Sequence, residues 1–146
     1  YYQWSTNGAD CNLWNLSPML MDIQKAIQEK NIDYIFLDYP FGYKNEQVGK
    51  YIDYAFFIDT PLDIALARRI LRDYLRRDPN RYQMKLPIKK LEEDLDCYLK
   101  GFRLTYLIHK ETVKSGCDVV IDGILSLDEI VNQIMKDIDN YKIFSK

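Results

Sequence analysis

Histidine occurs once in this chain, at His109, and cysteine three times, at Cys11, Cys97 and Cys117, widely spaced and without a CxxC pair. That scarcity argues against a disulfide framework and removes the ligand sets from which structural zinc sites are built. Also missing is any apolar run near the roughly 20 residues that span a bilayer. The amino terminus has neither the basic start nor the apolar stretch of a signal peptide, so the expectation is a cytoplasmic protein with no membrane partner. No excess of positive charge exists: the net charge is −2, which gives nucleic acid no claim as a partner.

What is present suits one folded domain over residues 1–146, because a chain of this length that is 47% hydrophobic can bury a core. Ser17 and Pro18 read as an N-cap and a first helical residue, with Met19, Leu20, Ile23, Ala26 and Ile27 recurring on one face to about Lys30. Tyr34–Leu37, Tyr54–Ile58 and Val119–Ile121 are short, apolar, β-prone runs, each followed by an aspartate: Asp38, Asp59 and Asp122. Thr60 and Pro61 open a helix carrying Leu62, Leu66, Ala67, Ile70 and Leu71. A longer helix runs from Ile88 through Phe102 until Gly116 stops it, and Ser126 with Glu129 has capping-box spacing. Alternation of this kind predicts an α/β fold with a mainly parallel sheet flanked by helices.

Ligands of such sheets bind at the carboxyl ends of the strands, where the three aspartates fall. Strand-end aspartates are also ordinary turn residues. The charge distribution adds a second signal. Between Arg68 and Lys90 nine basic residues face two acidic ones, against 11 basic and 20 acidic in the rest of the chain. Arg68, Arg69, Arg72 and Arg76 stand three, four or seven apart, which gathers guanidinium groups on one side of a helix. Two readings fit: a solvated face neutralised by acids such as Asp63 and Asp73, or a site for a polyanion, since arginine suits bidentate phosphate contact.

The stretch from Asp59 to Asp73, DTPLDIALARRILRD, resembles the signature of the uridine kinase group of P-loop kinases, in Leu66, Arg68, Arg69, Leu71, Arg72 and Asp73. The resemblance implies a three-layer α/β/α P-loop fold, incomplete at its amino terminus, that transfers phosphate from ATP with Mg²⁺ to a small hydroxyl substrate such as uridine. It assigns catalytic roles to Arg69 and Arg72. Phosphate or substrate contacts fall to Arg68, Arg76, Arg77 and Arg81, the last three in or beside a lid near 76–87, where the family's Arg-Gly-Arg is replaced by Arg77, Asp78 and Pro79. Asp38 takes the Walker B position, orienting Mg²⁺ or holding sugar hydroxyls. Tyr39 and Tyr43, with Phe41, lie where a nucleoside base would stack, and Asp122, Gly123 and Ile124 form the loop that contacts adenine. The family's strand order places a central strand between those ending at Asp38 and Asp59, a gap of about 9 to 10 Å, and pairs the strands of Asp59 and Asp122 directly.

The phosphate-binding loop itself is absent. Such a loop reads GxxxxGK followed by Ser or Thr, whose backbone N–H groups, lysine and hydroxyl cradle phosphates and metal. Gly49-Lys50-Tyr51 has tyrosine where the hydroxyl residue belongs and Gly42 at the wrong distance upstream. The loop and the general base are therefore expected upstream of Tyr1; Asp10, the only acid in the first 20 residues, has no surroundings resembling the family's base. A P-loop kinase for another small metabolite, or a non-catalytic module docking a nucleotide or an acidic partner, also fits these residues, and a homo-oligomer stays open. On the Walker B reading, Asp38→Asn in the full-length enzyme is expected to lower turnover more than it lowers stability. An unchanged turnover number removes that role.

Overall fold

Two of the three aspartate-terminated runs become strands in the computed structural model, which describes residues 2–75 and 88–144. Strand β1 (Phe56–Asp59) and strand β2 (Val119–Asp122) pair directly and in parallel, with Phe56 opposite Val119 and Asp59 opposite Asp122. The ladder is extended at both ends: Asp118 N–H donates to Ala55 O at 2.9 Å, and Gly123 N–H to Asp59 O at 3.0 Å. Among the described residues the protein is a mixed α/β fold with this two-stranded parallel sheet and seven α-helices.

The third run departs from expectation. Tyr34–Leu37 joins no ladder, and Tyr34, Ile35 and Phe36 are exposed, Phe36 to 70%. The sequence supplies β-prone side chains there, but an extended segment is held only by the hydrogen bonds of a neighbouring strand, and no described strand lies against it. The strand expected to end at Asp38 is therefore not formed, and Asp38 lies in an irregular, exposed stretch.

The amino-terminal part holds α1 (Tyr2–Thr6), α2 (Ser17–Gln28) and α3 (Glu46–Gly49). Proline occupies the first turn of α2 as expected, but the cap lies one residue earlier, at Leu16, which offers no side-chain bond; Asn15 Oδ1 instead accepts from Ser17 N–H at 3.1 Å. Asn45 caps α3 through Oδ1, accepting from Gln47 N–H and Val48 N–H, while its Nδ2 donates to Cys11 O at 2.8 Å. Fully buried, this amide ties two loops together, its oxygen accepting twice and its nitrogen donating across to Cys11.

A parallel pair needs a crossover, and residues 60–118 provide it. Helix α4 (Leu62–Ile70) leaves β1 and runs into a π-helical turn at Leu71–Leu75; α5 (Ile88–Cys97) and α6 (Arg103–Lys114) are joined by a second such turn at Tyr98–Phe102. The long helix expected from Ile88 is therefore continuous but locally underwound at its middle. Helix α7 (Leu127–Phe144) follows β2, started by the expected capping box: Glu129 Oε2 accepts from Ser126 N–H at 2.9 Å and Ser126 Oγ accepts from Glu129 N–H at 3.3 Å. Among the described residues no helix is long and apolar enough to cross a membrane. The lid expected near 76–87, with Arg76, Arg77 and Arg81, lies outside the described residues.

Helix α1 packs on α6 through aromatic rings. Trp4 lies 5.7 Å from the His109 ring and 6.0 Å from Phe41, and Trp14 lies 5.8 Å from both Trp4 and Phe41. His109 Nε2 is 2.7 Å from Pro40 O, so that nitrogen carries the proton. Burial holds the imidazole pKa below its ordinary 6.5 against the opposing pull of that carbonyl. Because the unfolded chain takes up this proton first as pH falls, the stability tied to neutral His109 is complete above 6.5 and drains below it. The urea midpoint followed by circular dichroism is expected to fall between about pH 7.5 and 5.5, and that fall should vanish in His109→Gln. An identical pH slope in the variant would assign the loss to other groups.

Candidate functional site

The carboxyl edge of the sheet is set by Asp59 and Asp122, placed side by side by the parallel register. Asp59 is clamped. Lys110 Nζ lies 2.6 Å from its Oδ1 and Lys114 Nζ 2.6 Å from its Oδ2, both lysines reaching from one face of α6. The hydrogen bonds from Lys110 and Lys114 hold the Asp59 carboxyl below the usual carboxylate range, and its side chain is only 19% exposed. Asp122 turns inward on its own loop, with Oδ1 accepting from Ile124 N–H at 2.9 Å.

That loop is pinned on every side. Gly123 N–H is used by Asp59 O and Ile124 N–H by Asp122 Oδ1; Arg68 Nη1 donates to Gly123 O at 2.6 Å and Nη2 to Ile124 O at 3.4 Å. Arg68 thus fastens α4 to the loop after β2, a structural bond where a phosphate contact was expected. Both backbone N–H groups of Gly123–Ile124 are thus spoken for, and both carbonyl oxygens already accept from Arg68. Gly123 also sits against Thr60: a Cβ there would lie 2.0 Å from Thr60 Oγ1 and 2.9 Å from Thr60 Cα.

Arg69 and Arg72 point away from this loop. Arg69 Nη2 donates to Asp94 Oδ2 at 3.0 Å and Arg69 Nε lies 3.7 Å from Asp73 Oδ2, while Arg72 grips Asp73 with two bonds of 2.6 and 3.0 Å. The pairing of this face with Asp73 is the solvated-face arrangement, and both arginines stay about half exposed, at 46% and 59%. Beside them a cleft lined by Leu66, Ile70, Tyr74, Leu91, Leu95 and Tyr106 has a volume of about 20 Å³. It has room for a water molecule and none for a nucleoside.

The aromatic residues expected to stack a base, Tyr39 and Tyr43, are half-buried, beside the buried Phe41. Tyr43 donates to Asp118 Oδ2 at 2.5 Å, an oxygen that also accepts from Ala55 N–H at 2.7 Å, and burial drives the Tyr43 pKa upward. Tyr39 packs edge-on against Phe41 at 5.5 Å with its hydroxyl buried, and burial pushes its pKa up to about 12. Asp10 is used as a cap, accepting from Asn12 N–H at 2.9 Å. Asp38 is exposed, and among the described residues no group of three or more acids, cysteines or histidines could hold a metal ion.

Lys110, Lys114, Asp94 and Asp118 were not singled out by sequence. The two lysines are four apart on α6, and Lys90 and Asp94 four apart on α5, a spacing that marks one helical face but not what that face meets. Comparison with protein-family models, with curated proteins and with solved structures finds no match to this chain. The close approach of Gly123 to Thr60 gives a direct test of the loop: Gly123→Ala is expected to lower stability by about 2 kcal/mol, the scale of forced overpacking. A urea midpoint equal to wild type would show that the loop yields freely.

Proposed function

We propose that this chain is part of an ATP-dependent phosphotransferase of the P-loop type acting on a small hydroxyl substrate, most simply a nucleoside. The observation that carries the reading is the strand–helix unit from Asp59 to Asp73. Its arginines Arg69 and Arg72 stand half exposed on α4 and the turn beyond it, neutralised by carboxylates that a stronger anion can displace. Guanidinium groups so placed suit the charge that develops on a transferring phosphoryl group. Direct parallel pairing of β1 and β2 accords with the sheet order of such kinases, and the unladdered Tyr34–Leu37, exposed at Tyr34, Ile35 and Phe36, accords with a place beside a further strand.

On this reading the chain's own residues divide the work. Arg69 and Arg72 bind and orient phosphate oxygens, Arg68 and Asp122 hold the Gly123–Ile124 loop in shape, and Asp38 orients substrate hydroxyls or a metal-bound water. ATP with Mg²⁺ supplies the phosphoryl group, and a phosphate-binding loop outside residues 1–146 is needed to hold it.

The deciding assay is ADP release by the full-length protein across nucleosides and other small alcohols. Release with none of them, together with retained nucleotide or acidic-protein binding, would favour the non-catalytic reading. Arg69→Ala and Arg72→Ala are each expected to lower phosphoryl transfer roughly a hundredfold or more with the fold unchanged, the scale of losing a transition-state donor. Activity within a fewfold of wild type for both would take the arginine helix out of the mechanism.

A further inference from the structure

Three donors from three segments converge on one carboxylate. Asp94 Oδ2 accepts from Arg69 Nη2 of α4 at 3.0 Å and from the Tyr74 hydroxyl of the π-helical turn at 2.6 Å, while Asp94 Oδ1 lies 2.7 Å from Lys90 Nζ of α5. Tyr74 is buried, 6% exposed, so packing fixes its hydroxyl and makes it a preset donor. Arg69 and Lys90 are open to solvent at 46% and 48%, and Asp94 at 22%, so the cluster can be reached from outside. A guanidinium, an ammonium and a phenol aimed at one point form the coordination that an anionic oxygen receives from a protein. Here the anion is the protein's own.

We propose that Asp94 is an internal competitor: it fills the oxygen position of a phosphoryl group in an anion site built by Arg69, Tyr74 and Lys90, and an incoming polyphosphate has to displace it. The inference rests on the reading of Arg69 as a phosphate-binding residue and adds how that residue is restrained. The bonds from Lys90 and Tyr74 keep the Asp94 carboxyl below its usual range, so the competitor stays charged throughout the neutral region. Displacing it has two consequences. Part of the binding free energy goes into breaking the Asp94 contacts, so the apparent affinity is weaker than the donors alone would give. And α5 loses its polar hold on α4, so the ends of the crossover loosen as the ligand is gripped.

The probe is tripolyphosphate, titrated calorimetrically into the chain. Asp94→Asn, nearly isosteric but uncharged, should bind it about tenfold more tightly than wild type, and the gain should disappear in an Arg69→Gln background. If Arg69→Gln weakens wild-type binding while Asp94→Asn gains nothing, the competitor is refuted and the phosphate reading stands. If Arg69→Gln leaves binding unchanged, or neither protein binds, both fall. Should Asp94→Asn fail to fold by circular dichroism, the wild type decides through hydrogen exchange: tripolyphosphate should speed amide exchange in α5, Ile88–Cys97, whereas slowed or unchanged exchange there would overturn the proposal.

Discussion

Everything in this fold that approaches a site is hung on a parallel ladder of four residues against four. A two-stranded sheet of that length does not hold itself together in water, and a parallel one cannot be closed by a tight turn. Its ends are accordingly clamped by side chains. At the entrance Asp118 takes the Ala55 N–H and the Tyr43 hydroxyl on one oxygen; at the exit Asp59 anchors Lys110 and Lys114, and Arg68 ties α4 to the loop after β2. The helices of the crossover are thus attached to the strands at their termini. An ion pair at a strand end therefore does work that a larger sheet would leave to its faces.

The three aspartates that follow the apolar runs show how one residue type at equivalent positions takes three different jobs. Asp59 is a counter-ion for a helix, Asp122 shapes a turn, and Asp38 lies exposed with no strand behind it. The arginines divide in the same way. Arg68 reads backbone carbonyls, Arg69 reaches a neighbouring helix, and Arg72 closes on the adjacent carboxylate. Functional readings that treat the cluster as a unit overlook that its described members, all exposed, hold three different kinds of partner.

Much of the framework was legible because its causes are local. The strands at Phe56–Asp59 and Val119–Asp122, the proline in the first turn of α2 and the Ser126–Glu129 capping box all follow from residues within a few positions of one another. Tyr34–Leu37 misled because side chains announce a taste for extended structure while the ladder that satisfies it comes from elsewhere in the chain. The π-helical turns at Leu71–Leu75 and Tyr98–Phe102 each span only five residues within longer helical runs, too short a change of period to show in the apolar pattern. At the site, Asp73 was recognisable as a partner for arginine because it is adjacent. Asp94, which lies 25 positions from Arg69, was not, because nothing in its own surroundings points back to α4.

The aromatic corner between α1 and α6 has a practical consequence for anyone following this protein by light. The chain contains two tryptophans, and both Trp4 and Trp14 lie within about 6 Å of Phe41. Indole emission consequently reports on one corner of the molecule and says nothing directly about the β1–β2 ladder or the arginine helix. Detachment of the five-residue α1 alone would register as a large spectral change while the sheet stayed intact. Fluorescence and circular dichroism can then give different transition curves for a protein whose remaining structure still melts as one unit.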